Sequence, residues 1–257
     1  MPEVVTHREG HCLHIVFNRP ERLNAVNEPL YQQTLAALRE AETDGQTRCV
    51  VLSGQGRAFC AGADLKAHGS GQRSERERTE YVMLGQEVCA QIQRMRIPVV
   101  AQVHGYAIGG GAEIATSADF LVIAEDAMIG FPESAIGTYV GGGVTTRLPR
   151  LVGLRKAAEL LLFGRRISGA EAVRCGLANA AVPQEGLAAA TANITSILCA
   201  NAPVSMAVIK AAINTSTPPD DVFRTEARAL LDIMRTDDWL EGVRAFAEKR
   251  TPRFSGK

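Results

Sequence analysis

Apolar positions along the first half of the chain switch repeatedly between a period of two and a period near 3.6. In residues 4–17, Leu13, Ile15 and Phe17 alternate with polar or smaller residues and Gly10 interrupts the run, a pattern that predicts a β-hairpin. Asn27 then precedes Glu28-Pro29, an N-cap residue followed by proline in the first turn. Leu30, Tyr31, Thr34, Leu35 and Leu38 share one face of the helix that follows. Residues 48–52 (RCVVL) read as a buried strand running into the turn Ser53-Gly54-Gln55-Gly56. The polar stretch 68–79 (HGSGQRSERERT) is a loop or the solvated start of a helix. Tyr81, Leu84, Val88, Ile92 and Met95 return to helical spacing, and Pro98 ends that helix. Val99–Val103 and Phe120–Ala124 are further strands. Beyond about Leu151 strand patterns nearly vanish: Ser168 and Glu171 form a capping-box pair, and helices are expected at about 186–200, 203–214, 221–235 and 238–249. Strands alternating with helices, then helices alone, predict an α/β core over residues 1–195 and a helical C-terminal region over 196–257.

Composition narrows the functional classes. A chain of 257 residues buries a sizeable core without disulfides or metals. Lysine plus arginine and aspartate plus glutamate number 28 each, so no global charge points to nucleic acid or an anionic membrane as partner. The six cysteines (Cys12, Cys49, Cys60, Cys89, Cys175, Cys199) include no CxxC pair, and those in apolar runs read as small buried residues. A reducing, cytoplasmic setting fits that usage. The first residues carry acidic groups and no apolar h-region, so no secretory signal is expected, and no apolar stretch reaches membrane-spanning length.

Three segments carry candidate chemistry. The first, residues 57–66 (RAFCAGADLK), follows a strand; its small residues allow close backbone approach to a ligand, or simply make a tight turn capped by Asp64. The second, residues 104–115 (HGYAIGGGAEIA), follows a strand and enters a helix at Gly109-Gly110-Gly111. Glycine costs roughly 1 kcal/mol against alanine inside a helix, so close approach of a ligand or of another backbone must compensate. A helix N-terminus offers unpaired N–H donors and partial positive charge to a developing oxyanion, while Glu113 in the first turn either complements the dipole or does chemistry. The third, residues 130–143 (GFPESAIGTYVGGG), places Glu133 in a largely apolar stretch after a short strand; burial there would raise its pKa toward neutrality. Gly141, Gly142 and Gly143 again mark a backbone that is strained or that a ligand approaches.

Competing motifs fail. Phe59 stands where a dinucleotide GxGxxG needs glycine, and neither a P-loop nor a GxSxG elbow is present. His7, His11 and His14 lie in the expected hairpin without a carboxylate or cysteine in a metal-site spacing, so they read as surface-strand residues. His104 reads as a packed strand-end histidine.

Taken together, the segments resemble the enoyl-CoA hydratase/isomerase (crotonase) superfamily. The likeness spans nearly the whole chain: Asn18-Arg19-Pro20 with Asn24-Ala25, FCAGADL, GYAIGGGAE, SADFLVIAEDA, the FPE triplet, RLPRLVG and AFAEKRTPRF, in order. The resemblance implies an α/β fold, a spiral of ββα turns with a helical C-terminal trimerisation region, and a homotrimer or a hexamer of two trimers. It implies an oxyanion hole from the backbone N–H groups of Ala63 and Gly110, and two catalytic glutamates at Glu113 and Glu133. It also implies that Arg22, Ala25, Ala61, Asp64, Leu65 and Lys66 line the coenzyme A channel, with no metal or organic cofactor, because coenzyme A arrives with the substrate. Retention of both glutamates favours the hydratase branch. One departure stands out: where many homologues read roughly GLIPGAGGTQRL, this chain has Gly137-Thr138-Tyr139-Val140-Gly141-Gly142-Gly143-Val144-Thr145-Thr146-Arg147-Leu148. The same apparatus could serve double-bond isomerisation, thioester hydrolysis or C–C cleavage, and a non-catalytic acyl-CoA binding protein is the alternative from another class.

Overall fold

A computed structural model describes residues 2–64, 74–215 and 219–257. The expected hairpin is formed by β1 (Val4–Glu9) and β2 (Cys12–Phe17), paired antiparallel from Val4 opposite Phe17 to Glu9 opposite Cys12. Gly10 turns it at φ +58, a conformation that costs other residues strain. The Asn27 side chain accepts from Leu30 N at 2.9 Å and so caps α1 (Glu28–Thr43). After β3 (Cys49–Gly54) comes α2 (Glu75–Arg94), opened by a complete capping box: Ser74 Oγ accepts from Glu77 N and the Glu77 carboxylate accepts from Ser74 N. The charged stretch left between loop and helix therefore ends in helix from Glu75; its residues 68–73 lie outside the described residues.

From here the chain winds in repeating turns. Each passes through a large sheet, then through a second layer, then into a helix or 3₁₀ turn. Strand β4 (Val99–Val103) leads to β5 (Tyr106–Ile108) and α3 (Gly110–Ser117); β6 (Phe120–Ala124) leads to β7 (Met128–Gly130) and the 3₁₀ turn Glu133–Ile136. The preceding turn contributes Cys60, which bridges Ala107 in the second layer. Helices α4 (Val144–Val152) and α5 (Leu154–Leu162), strand β8 (Arg166–Ser168), helix α6 (Gly169–Arg174) and strand β9 (Ala180–Val182) follow. The large sheet has the order β1-β2-β3-β4-β6-β9, parallel from β2 onward, and the small one the order β5-β7-β8. This is the α/β spiral that the resemblance implied. Its core is centred on fully buried Phe17, Phe59 and Phe131, with the first two edge-on at 5.2 Å.

The expectation that strands nearly vanish after Leu151 is corrected by β8 and β9. Each is three residues long, too short for a period of two to show. Parallel β9 is held because Asn179 and Val182 join it to β6: Leu121 N donates to Asn179 Oδ1 at 2.8 Å and Glu125 N to the Val182 carbonyl at 2.9 Å.

Four helices close the chain: α7 (Leu187–Ala200), α8 (Pro203–Asn214), α9 (Pro219–Ile233) and α10 (Asp237–Glu248). The division expected at 195/196 falls inside α7, which buries Leu187 and Leu198 against Val51, Val100 and Val122 of the large sheet. Buried Lys210 fastens α8. Its ammonium lies 2.7 Å from Asp119 and donates to the Ile92 and Ile97 carbonyls at 2.8 Å each, which offsets the desolvation of the charge. Among the described residues no single helix is long and apolar enough to cross a membrane.

Candidate active site

Residues 61–64 dock along residues 23–26 in a short stretch of parallel pairing. Ala61 N donates to Leu23 O at 3.0 Å, Val26 N to Gly62 O at 2.8 Å and Asp64 N to Val26 O at 3.2 Å. This pattern bonds the neighbours of Ala63 and leaves its own N–H facing the other way. The second segment meets the first at the adjoining glycines. Gly62 (φ +95) packs so closely on the Ile108 carbonyl that a Cβ would come within 2.7 Å, and a Cβ on Gly109 (φ +54) would lie 4.0 Å from Gly62 Cα. Ala63 and Gly110 each follow one of these left-handed glycines. Neither amide donates to a backbone or side-chain acceptor among the described residues; Gly110 opens α3, where N–H groups have no partner within the helix.

The three consecutive glycines have three different reasons. A Cβ on Gly111 would sit 2.2 Å from the Cys60 carbonyl, so this glycine permits close packing of helix on strand. One on Gly109 would sit 2.8 Å from Glu133 Oε1. One on Gly110 would meet only the Tyr31 hydroxyl at 3.0 Å and Val26 at 3.5 Å. Packing and close approach, both open from sequence, are thus divided between neighbours.

Glu113 and Glu133 come together from successive turns of the spiral. Glu113 lies in the first turn of α3, and its Oε1 accepts from Gly141 N at 2.6 Å. Burial pushes its carboxyl up to about 7, the Gly141 bond pulls the other way, and the charge of Glu133 adds to the rise. Glu133 opens the 3₁₀ turn after Pro132 and is 7% exposed; burial raises its pKa as well. Its Oε2 is buried without a hydrogen-bond partner among the described residues. Buried carboxylate oxygens are normally paired, and exceptions concentrate at functional sites. The arrangement therefore offers two buried carboxyls with raised pKa values, that of Glu113 near neutrality, beside two unpaired amides able to receive negative charge.

Three residues that sequence reasoning did not assign to the site belong to its walls. Gln86 on α2 accepts from Gly142 N at 3.0 Å, and its Nε2 lies 3.0 Å from the point a Gly141 Cβ would occupy, as does Glu113 Oε2. Tyr31 and Tyr81, with ring centroids 5.5 Å apart, stand behind Gly110; burial holds the Tyr31 phenol well above its ordinary pKa. The two tyrosines were visible only as apolar helix positions, and nothing in the local pattern marks Gln86.

Of the other residues named from sequence, Ala25, Ala61 and Asp64 lie on the paired segments, and Arg22 is exposed on the adjoining 3₁₀ turn Pro20–Arg22. The Asp64 carboxylate faces Arg19 at 3.3 Å, and Arg19 also pairs with Glu3 at 2.6 Å. Leu65 and Lys66 lie outside the described residues. Gly141 is held by Glu113, and Tyr139 in the departing segment is 79% exposed. His104 Nε2 donates to the Gly56 carbonyl, 2.9 Å away. The loop itself is tied down by Asn24, fully buried at φ +55. Its Oδ1 accepts from Arg19 N at 2.8 Å, and its Nδ2 donates to Gln55 O at 2.9 Å and Ala58 O at 2.7 Å. Asn24→Ala strands these groups and is expected to cost about 1–3 kcal/mol, read as a lower urea midpoint at unchanged slope; an unmoved midpoint would show that the loop closes without it.

A family model described as enoyl-CoA hydratase/isomerase matches residues 7–257. The short-chain-enoyl-CoA hydratase of Clostridium acetobutylicum is 34% identical over 250 residues, 96% of this chain and 95% of that protein. The mitochondrial enoyl-CoA hydratase domain-containing protein 2 of Bos taurus is 39% identical over 251 residues, 95% of this chain and 84% of that one. A crystal structure of an enoyl-CoA hydratase from Bacillus anthracis superposes with a TM-score of 0.94 at 34% identity, covering 99% of this chain and 100% of the other.

Proposed function

Because the chain belongs to the enoyl-CoA hydratase/isomerase family, we propose that it is an enzyme that adds water across the double bond of a 2-enoyl-CoA thioester, giving a 3-hydroxyacyl-CoA. The observation that carries the reading is the coupled pair of buried carboxyls at Glu113 and Glu133 beside the unpaired amides of Ala63 and Gly110.

The thioester carbonyl is received between those two amides. Attack of water at Cβ moves an electron pair through the conjugated system onto that oxygen, and donors already in place stabilise the enolate without reorganising. Glu113 takes the proton from the attacking water, and Glu133 delivers one to Cα, the pair sharing these duties. The two carboxyls also orient the water, so they contribute position as well as proton transfer. Arg22, Ala25, Ala61 and Asp64 line the path of the coenzyme A moiety, and Gly141 fixes the acyl side through Glu113. The reaction draws on no metal or organic cofactor, since the enolate charge is met by backbone donors. Exposed apolar side chains on α5, α9 and α10, among them Leu154, Leu162, Leu230, Leu231, Leu240 and Phe246, support a homotrimer or a hexamer of two trimers.

Crotonyl-CoA tests the reading. Hydration removes the conjugated enoyl absorbance and releases no thiol. Thiol release would make the chain a hydrolase, and tight binding with no change in either signal would make it a binding protein. Gln86 gives a finer test. By holding Gly142 beside the Glu113–Gly141 bond it positions the general base, so Gln86→Leu is expected to lower kcat by about tenfold to a hundredfold with little change in KM. An unchanged kcat would remove it from the apparatus.

A further inference from the structure

The three N-terminal histidines are not equivalent once the hairpin folds. Antiparallel register sets His7 directly opposite His14, and alternation along β1 puts Glu9 on the same face two residues on. Cys12 stands opposite Glu9 on the neighbouring strand, two residues from His14 on the same face. The two imidazoles stack with centroids 4.5 Å apart and planes within 13° of parallel. That stacking brings both Nε2 atoms to one carboxylate: His7 Nε2 lies 3.7 Å from Glu9 Oε1 and His14 Nε2 lies 3.6 Å from Glu9 Oε2. Both gaps exceed a hydrogen bond. His11 stands apart from this cluster, its Nδ1 donating to the Gln46 carbonyl at 2.9 Å.

We propose that the β1–β2 hairpin is a binding site for a divalent ion of the zinc class, with His7, Glu9 and His14 as its protein ligands. One ligand atom from each lies within 4.8 Å of the other two. A tetrahedral ion with bonds of about 2.0–2.2 Å to nitrogen and oxygen needs such atoms roughly 3.3 Å apart. Small rotations reach that spacing, and the side chains of His7 and Glu9, 53% and 70% exposed, are free to make them. Two imidazoles and a carboxylate form a set that suits zinc, cobalt or nickel rather than magnesium or calcium, with the remaining position left to water. Since β1 is the edge strand of the large sheet, an ion across its cross-strand pair staples that edge and stabilises the folded chain by mass action. The site shares no residue with the catalytic segments.

The test uses the untagged full-length chain, stripped with a chelator and titrated with Zn²⁺ by calorimetry and with Co²⁺ by visible absorption. One ion per chain is expected, with a Co²⁺ spectrum of tetrahedral intensity and a raised thermal midpoint. In His7→Ala and Glu9→Gln, which change exposed side chains and keep the parent midpoint in chelator, affinity should fall by at least about tenfold, the loss that even outer partners cause. His11→Ala should bind as the parent does. Absence of saturable binding at one ion per chain, parent-like affinity in both ligand variants, or an equal loss in His11→Ala would overturn the proposal.

Discussion

Glu113→Gln and Glu133→Gln each lower kcat for crotonyl-CoA hydration by about 10²–10⁴-fold, the usual contribution of a positioned acid or base, while binding of the CoA ester stays measurable. The double variant should lose far less than the product of the two, because the carboxyls act on one water. In the parent, activity rises with pH as Glu113, held up to about 7 by burial, ionises. Burial raises Glu133 as well, so the profile belongs to the pair rather than to either residue.

The same burial makes the proposed catalytic base a liability for stability. Glu113 has its folded pKa raised from 4.5 to about 7, so in that window the folded chain holds a proton that the unfolded chain releases. Stability therefore declines as pH rises from 4.5 and the whole deficit is present above about 7. The interval corresponds to about 3 kcal/mol as an upper figure. Glu113→Gln removes that deficit and its oxygen can still accept from Gly141, so the inactive variant should be the more stable one at alkaline pH, with the advantage fading toward pH 4.5. Urea unfolding at the two ends of the range decides it. Equal midpoints at alkaline pH would mean that the ionised carboxylate is adequately solvated and that its pKa lies near the ordinary value.

Gly109→Ala is expected to lose about 10²–10³ in kcat, the equivalent of one oxyanion donor. Gly109 sits at φ +54 and ψ −122, a region other residues occupy at a cost of about 1–3 kcal/mol. Its new Cβ would press within 2.8 Å of Glu133 Oε1, so relief must turn the peptide that presents the Gly110 N–H or shift the proposed acid. The neighbours give the controls. Gly111→Ala meets the Cys60 carbonyl at 2.2 Å, backbone against backbone, and should lower the unfolding midpoint most. Gly110→Ala asks only a few tenths of an ångström of the Tyr31 hydroxyl and Val26, keeps its N–H, and should be the mildest of the three. Parent-like turnover in Gly109→Ala would place the oxyanion donors elsewhere.

Much of this molecule is written locally. The hairpin, α1, the strands at 99–103 and 120–124 and the closing helices follow from local patterns, from Asn27 as a cap, and from Pro98 as a boundary. Glu113 and Glu133 drew attention for local reasons too: an acid in a helix's first turn and an acid in an apolar stretch. What single positions could not reveal was adjacency. The two glutamates meet because consecutive spiral turns stack. Strands β8 and β9 exist because neighbours supply their hydrogen bonds, since three residues carry no period of their own. Gln86 joins the site through a backbone amide 56 residues away, and Glu9 joins His7 and His14 only once register and rotamer are set. Side-chain period is a property of the chain alone and can be read from it. Proximity between distant residues is decided by packing, and so are the burial that raises a pKa and the hydrogen bonds that a buried oxygen lacks.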